Sequence, residues 1–187
     1  RAMAIDVIPI LADGIKYYGY LPKKRLFLSG GVFSNFVSKK QSFATFKWSF
    51  VSRIAVLPIY TDAYKPVLHI GMNFRYGIPK DDSLQVRSKP EVSGAPYFID
   101  TKKFYSDKTT DMGVEIFYRK GPLLLGTEIN AFTAYSSQKG NSVFKGGEIY
   151  GLYTITGEVR PYFAGMGLFS FLKVKRSVFK GGPGAWT

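Results

Sequence analysis

The sequence predicts an all-β protein, a transmembrane antiparallel β-barrel, and three observations support that prediction. Six stretches alternate between apolar and polar residues with a period of two, which is the pattern of a strand with two different faces. Aromatic residues make up 17% of the chain and glycine occurs 20 times, a composition typical of β-proteins. The sequence has no run of 18 apolar residues, so it predicts no transmembrane helix.

The alternating stretches are spread along most of the chain. In 67–76, VLHIGMNFRY, every second residue from Leu68 to Tyr76 is apolar, and the other face carries His69, Gly71, Asn73 and Arg75. The same alternation marks 25–36, 42–56, 112–119, 123–135 and 148–160. The last of these stretches predicts a strand that carries Glu158 and Arg160 on one face and ends at Pro161.

Connections between the stretches are of two kinds. Short connections are predicted at 20–25, 58–66 and 119–123, where Pro or Gly interrupts the pattern. Longer polar segments cover 78–83, 92–111 and 136–142. The whole chain, residues 1–187, is therefore predicted to form a single β-domain of about eight strands or strand pieces.

The lengths and faces of these strands favour a membrane over a soluble core. Strands of soluble proteins usually run about five or six residues, whereas a tilted strand needs about 9–11 residues to cross a bilayer. The alternating stretch 42–56 is longer than a usual strand of a soluble protein and longer than a bilayer crossing requires. The polar set of Arg, Lys, Glu, Asn, Thr and Gly suits a water-filled lumen, and Trp48, Tyr76 and Tyr118 suit the membrane interface.

Composition also restricts the chemistry. The formal net charge is +13, from 26 basic and 13 acidic residues, which indicates an anionic partner. There is no cysteine and one histidine, so a thiolate metal site, a histidine cluster or a catalytic triad is not predicted. We therefore predict no enzyme activity, no cofactor and no metal, and His69 is interpreted as a lone lumen or turn-proximal residue.

Several segments, in order, resemble the phosphate-selective porins of the bacterial outer membrane. They are SRIAVLPI (52–59), LQVRSKPEV (84–92), FIDT (98–101), GPLLLGTEIN (121–130), YGLYTITGEVRPY (150–162) and GGPGAWT (181–187). The resemblance implies an outer-membrane location, contact with lipids, and transport of small anions such as phosphate. It also implies a homotrimer of sixteen-stranded barrels, of which this chain would be an incomplete part.

By the same resemblance, anions are selected by basic side chains along the lumen. Arg87 and Lys89 match the family's RSRP pattern, and Lys89, which stands where the family has Arg, keeps the charge but loses the planar fork. Parity along the strands adds Arg75, Arg53, Lys47, Arg119 and Arg25. The alternative is that some of these side chains pair with Glu115, Glu128 or Glu158 and hold the barrel rigid.

Two other functions stay open. The barrel could be a non-conducting scaffold that works with other outer-membrane proteins. It could also be a soluble, basic β-domain that binds nucleic acid, but such a domain needs clustered Lys and Arg with exposed aromatic platforms. Here the basic residues alternate with apolar ones, so no nucleic-acid partner is predicted.

Overall fold

One long antiparallel sheet organises the molecule. The computed structural model describes residues 12–37, 45–88 and 94–187. Its seven long strands are β1 (Asp13–Leu21), β2 (Leu26–Ser34), β3 (Phe46–Ile59), β4 (Val67–Pro79), β9 (Lys108–Lys120), β10 (Leu123–Tyr135) and β11 (Ser142–Tyr153). They pair in the order β1-β2-β3-β4-β9-β10-β11, so β1 and β11 form the two edges of the sheet in the described part of the chain.

The remaining elements are short. Two-residue strands pair within the loops and the C-terminal region: β5 (Ser83–Leu84) with β8 (Phe104–Tyr105), β6 (Arg87–Ser88) with β7 (Ile99–Asp100), and β12 (Tyr162–Phe163) with β13 (Leu168–Phe169). Single turns of 3-10 helix cover Pro22–Lys24, Lys80–Asp82 and Val178–Lys180. Among the described residues we find no helix whose length and apolar content would let it cross a membrane.

The predicted strands overlap observed ones, with shifted bounds: β9 begins at Lys108 rather than at 112, and β3 continues to Ile59. Residues 42–44 of the predicted stretch 42–56 lie outside the described residues. The stretch 123–135 coincides with β10, and β3, β4, β9 and β11 are as long as membrane crossing requires, with 12 to 14 residues each. The prediction of a strand over 148–160 is wrong in its second half. β11 starts earlier, at Ser142, and ends at Tyr153, because the backbone turns at Thr154, where Gly157 N–H donates to Thr154 O over 2.9 Å.

The two ends of the sheet differ in their connections. At one end the strands are joined by the segments 22–25, 60–66 and 121–122; Gly121, at φ +57°, makes the last of these a tight turn. At the other end the connections 35–45, 80–107 and 136–141 are longer. Outer-membrane barrels have this asymmetry, with short turns on one side of the membrane and long loops on the other.

The sheet is inverted relative to a soluble protein, because its apolar face is bare and its polar face is covered. Met72 in the middle of β4 is 58% exposed, while His69, on the opposite face of the same strand, is fully buried. Met72 lies in a row with Leu28, Ile54, Val114 and Ile129, all of which are more than a third exposed. An apolar face of this extent needs a nonaqueous neighbour.

Two segments cover the polar face. The first, which we call the folded loop, comprises residues 80–88 and 94–107; its Leu84 and Val86 pack against wall residues Phe46, Phe132 and Ala134 at the long-loop end. The second, the C-terminal segment, comprises residues 154–187. Its Tyr162 and Ala164 pack against Leu57 and Val67 at the short-turn end.

Candidate functional site

The polar face is built from rows of residues that lie side by side on neighbouring strands. One row runs from Ser29 through Arg53, Asn73 and Gly113 to Asn130. A side chain on Gly113 would overlap the amide groups of Asn73 and Asn130, so glycine is needed for these amides to approach each other. Hydrogen-bonding groups thus replace the apolar core that a soluble sheet would have on its covered face.

Four side chains form a continuous hydrogen-bonded chain on this face, which we call the latch cluster: Arg53, Glu115, His69 and Tyr162. Arg53 Nε donates to Glu115 Oε1 over 2.7 Å, and His69 Nε2 lies 3.0 Å from the same oxygen. On its other side, His69 Nδ1 lies 2.6 Å from the Tyr162 hydroxyl. The cluster joins β3, β4 and β9 to the C-terminal segment.

Arg53 also contacts the C-terminal segment directly. Its Nη2 donates to Gly167 O over 2.8 Å, and the guanidinium lies 5.5 Å from the centre of the Phe27 ring. Gly167 has φ +63°, and a Cβ there would meet the Phe27 ring at 2.8 Å. Arg53, one of the predicted lumen residues, is therefore held by a carboxylate and a carbonyl, and its contact with an anion stays a prediction.

Two further predicted residues, Arg75 and Arg119, are buried in the wall. The Arg75 guanidinium lies 3.9 Å from the centre of the Phe46 ring, and Arg75 is directly opposite Asp111 in the sheet register. Arg119 is fully buried and donates to Tyr64 O over 2.8 Å and to Ala63 O over 2.7 Å. Arg119 thus fixes the 60–66 turn at the short-turn end.

Two predicted residues, Lys47 and Arg25, lie near opposite ends of the sheet. Lys47 Nζ lies 3.0 Å from Asp82 Oδ1, and both side chains are about half exposed. Arg25, at φ 50°, ends the first 3-10 turn and donates to Pro58 O over 3.0 Å. Lys47 links the wall to the folded loop, and Arg25 links two strands at the short-turn end.

Arg87 has a different setting, because it lies on the folded loop. Leu84 and Val86 are buried against the wall, so the alternating residues Gln85 and Arg87 point away from it. The Arg87 side chain is 47% exposed, with Nε 3.6 Å from Asp100 Oδ2 and the guanidinium 5.2 Å from the Tyr97 ring centre. Lys89, its predicted companion, lies outside the described residues.

Asp100 is the anionic partner in this part of the folded loop. Gln85 Nε2 donates to its Oδ1 over 2.7 Å, and the Lys102 backbone N–H donates to the same oxygen over 2.9 Å. These hydrogen bonds, Gln85 first, lower the pKa of Asp100 to about 2. The carboxyl group is therefore ionised at neutral pH and carries a negative charge beside Arg87.

The charges on the wall itself are mixed. Basic residues on the polar face of the strands include Lys16, Arg53, Arg75 and Arg119. Three glutamates lie side by side across β9, β10 and β11, namely Glu115, Glu128 and Glu148, and Asp111 lies on the same face. The acidic row was missed at the sequence level because it is created by strand register, which no single stretch reveals.

The C-terminal segment is strongly basic. From Val159 to Thr187 it has no acidic residue and five basic ones: Arg160, Lys173, Lys175, Arg176 and Lys180. The last four are exposed. Tyr162 of the same segment is buried, and burial raises the pKa of its hydroxyl above the usual value, so the O–H remains a donor.

Comparisons with known proteins agree with this architecture. A family model described as phosphate-selective porin O and P matches residues 12–186. No curated protein matches the chain. Within the described residues, no group of three or more His, Cys, Asp or Glu side chains is arranged to hold a metal ion.

Proposed function

We propose that this chain, which belongs to the family of phosphate-selective porins O and P of the bacterial outer membrane, carries small anions such as phosphate along the polar face of its sheet. The observation that carries this proposal is the inversion of the sheet. Its apolar face is exposed along the middle row of five strands, while charged and amide groups line the covered face. Lipid outside and water inside satisfy both faces.

The positive charge that attracts anions comes from exposed basic residues of the C-terminal segment and from Arg87 of the folded loop, more than from the arginines of the strands. Arg53, Arg75 and Arg119 each face a carboxylate, an aromatic ring or backbone carbonyls. The Arg87 side chain is 47% exposed beside Asp100 and Tyr97. In the C-terminal segment, four basic residues are exposed, and Glu158 is the one acidic residue against five basic ones. Several binding sites of modest affinity along the path let an anion move on, whereas a single tight site would retain it.

Closure and assembly are part of the same proposal. In the part of the chain that the structure describes, β1 and β11 each pair with one neighbouring strand and form the two edges of the sheet, and lipid cannot satisfy an open edge. We propose that further strands pair with both edges to close a sixteen-stranded barrel, and that three such barrels associate. A channel of this kind needs no catalytic group, in agreement with a family of porins rather than enzymes.

Neutralising Arg87 tests the proposal. We expect Arg87→Gln to reduce the anion selectivity of the reconstituted protein, measured as the zero-current potential in a planar bilayer under a KCl gradient. Lys65→Gln is the control, since it removes the same charge from an exposed residue of the 60–66 turn that is not among the predicted lumen residues. Equal effects of the two substitutions would contradict a specific role for Arg87. Folded protein without any conductance would favour the scaffold function.

A further inference from the structure

We infer that Tyr162 and His69 are positioning residues that hold the C-terminal segment inside the anion path, and that this contact sets the width of the path. The inference rests on the proposed function, since the path is the one proposed above. Both side chains are buried, so neither would contact a passing ion.

The C-terminal segment is attached to the sheet at few points. Its backbone bonds to the rest of the molecule include Thr154 N–H to Pro122 O over 3.1 Å and Tyr162 N–H to Ala63 O over 2.9 Å. Beyond β12 and β13 it has no strand pairing in the described structure. Side-chain contacts therefore have to fix its position, and those contacts converge on Tyr162 and on Gly167.

The proton arrangement of the latch cluster follows from its members. Glu115 is paired with Arg53, so it is ionised and can only accept hydrogen bonds. His69 Nε2, which is 3.0 Å from Glu115 Oε1, therefore carries the proton, and Nδ1 accepts from the Tyr162 O–H. With the proton on Nε2, the two ring nitrogens of His69 satisfy both neighbours at once.

Burial makes this contact hard to replace. His69 is fully buried and Tyr162 is 1% exposed, so water does not substitute for the hydroxyl when it is removed. The Tyr162 ring also packs edge-on against Phe169 at 5.0 Å and Tyr60 at 5.8 Å between ring centres. The ring packing would survive a Phe substitution, whereas the hydrogen bond would not.

A thiol-accessibility experiment reports the position of the segment independently of ion flow. Ala164, next to the latch, is 6% exposed, and these 187 residues contain no cysteine. In the complete protein extracted from outer membranes, Ala164→Cys is labelled with a charged thiosulfonate, with the alanine parent as background. We expect Tyr162→Phe to raise the labelling rate about tenfold, equivalent to about 1.4 kcal/mol, because it leaves a buried acceptor unsatisfied.

Two further variants keep the test specific. Tyr60→Phe is the control, because the Tyr60 ring packs against Tyr162 while its hydroxyl is not one of the groups bonded in the latch cluster. Gly167→Ala disturbs the second attachment point, where Gly167 O accepts from Arg53, because a Cβ on residue 167 would meet the Phe27 ring. We expect Gly167→Ala to raise labelling and Tyr60→Phe to leave it unchanged.

Single-channel recordings of the same variants complete the test. Faster labelling together with larger or noisier unitary conductance in Tyr162→Phe and Gly167→Ala supports the inference. Unchanged labelling in both variants contradicts the claim that the latch cluster holds the C-terminal segment in position, whatever ion the parent channel conducts. Faster labelling with unaltered conductance, in a parent that is anion-selective, overturns the claim that the segment sets the width of the path. A parent without anion selectivity contradicts the proposed function, and the labelling result still stands.

Discussion

The orientation of the sheet can be tested with two arginine substitutions on its apolar face. Met72 and Val32 lie on this face and have nearly the same exposure, 58% and 56%. Met72 belongs to the middle row of the sheet, with Val114 and Ile129, whereas Val32 lies in the row of Phe50 and Tyr76. The two rows are four residues apart, which is about 13 Å along a strand.

The expected cost follows from depth in the bilayer. An arginine on the lipid face of a barrel costs about 2–4 kcal/mol at the bilayer midplane and about 0–1 kcal/mol near the interface. We therefore expect Met72→Arg to lower the free energy of unfolding by about 2 kcal/mol more than Val32→Arg does. In a soluble protein both sites are exposed surface, and each change would stay within about 0.5 kcal/mol.

Reversible guanidinium unfolding in phospholipid vesicles measures this difference, with tryptophan fluorescence as the signal. Both variants change one exposed apolar residue to arginine in a strand, so the charge and the class of site are matched. If Met72→Arg and Val32→Arg have the same stability as the parent, the apolar face does not meet lipid, and the soluble β-domain becomes the better description.

Two other predictions concern single residues. Arg119→Ala should destabilise the protein by about 3 kcal/mol or more in the same unfolding assay, because it removes the two charged hydrogen bonds that a fully buried guanidinium donates to the 60–66 turn, and Arg119→Lys should fall in between. An unchanged midpoint for Arg119→Ala would contradict the structural role. Asp100→Asn should make the zero-current potential more anion-selective, since it removes a carboxylate beside Arg87. With the pKa of Asp100 at about 2, its charge persists until the pH falls towards that value, so the effect should be equal at pH 7.5 and pH 4.5, and a smaller effect at pH 4.5 would contradict the pKa.

Much of the sheet could be predicted from the sequence, because alternation is a local property. The stretch 67–76 shows its two faces without any knowledge of its neighbours, and 123–135 gave both the bounds and the faces of β10. β1 was not predicted as a strand, and the alternation of 148–160 continued past Tyr153, where the backbone turns. Alternation alone does not reveal where the backbone hydrogen bonds between two neighbouring strands end.

The site was harder to predict, because its contacts join residues far apart in the chain. Parity placed Arg53 and Arg75 on the polar face, but their partners are set by strand register and by the folding of distant segments. His69 was interpreted as a lone residue, yet it lies between Glu115 and Tyr162, which is 93 residues away. Arg87 was identified by resemblance to the family motif, and its contact with a permeating anion stays a prediction.

The zero-current potential of the unmodified protein tests the central claim most directly. In a planar bilayer under a KCl gradient, with native protein extracted from outer membranes, we predict a potential of the sign for chloride permeation. Phosphate added on one side should reduce the chloride current, because it competes for the same basic groups. A potential of the cation-selective sign would contradict the anion pathway along the polar face.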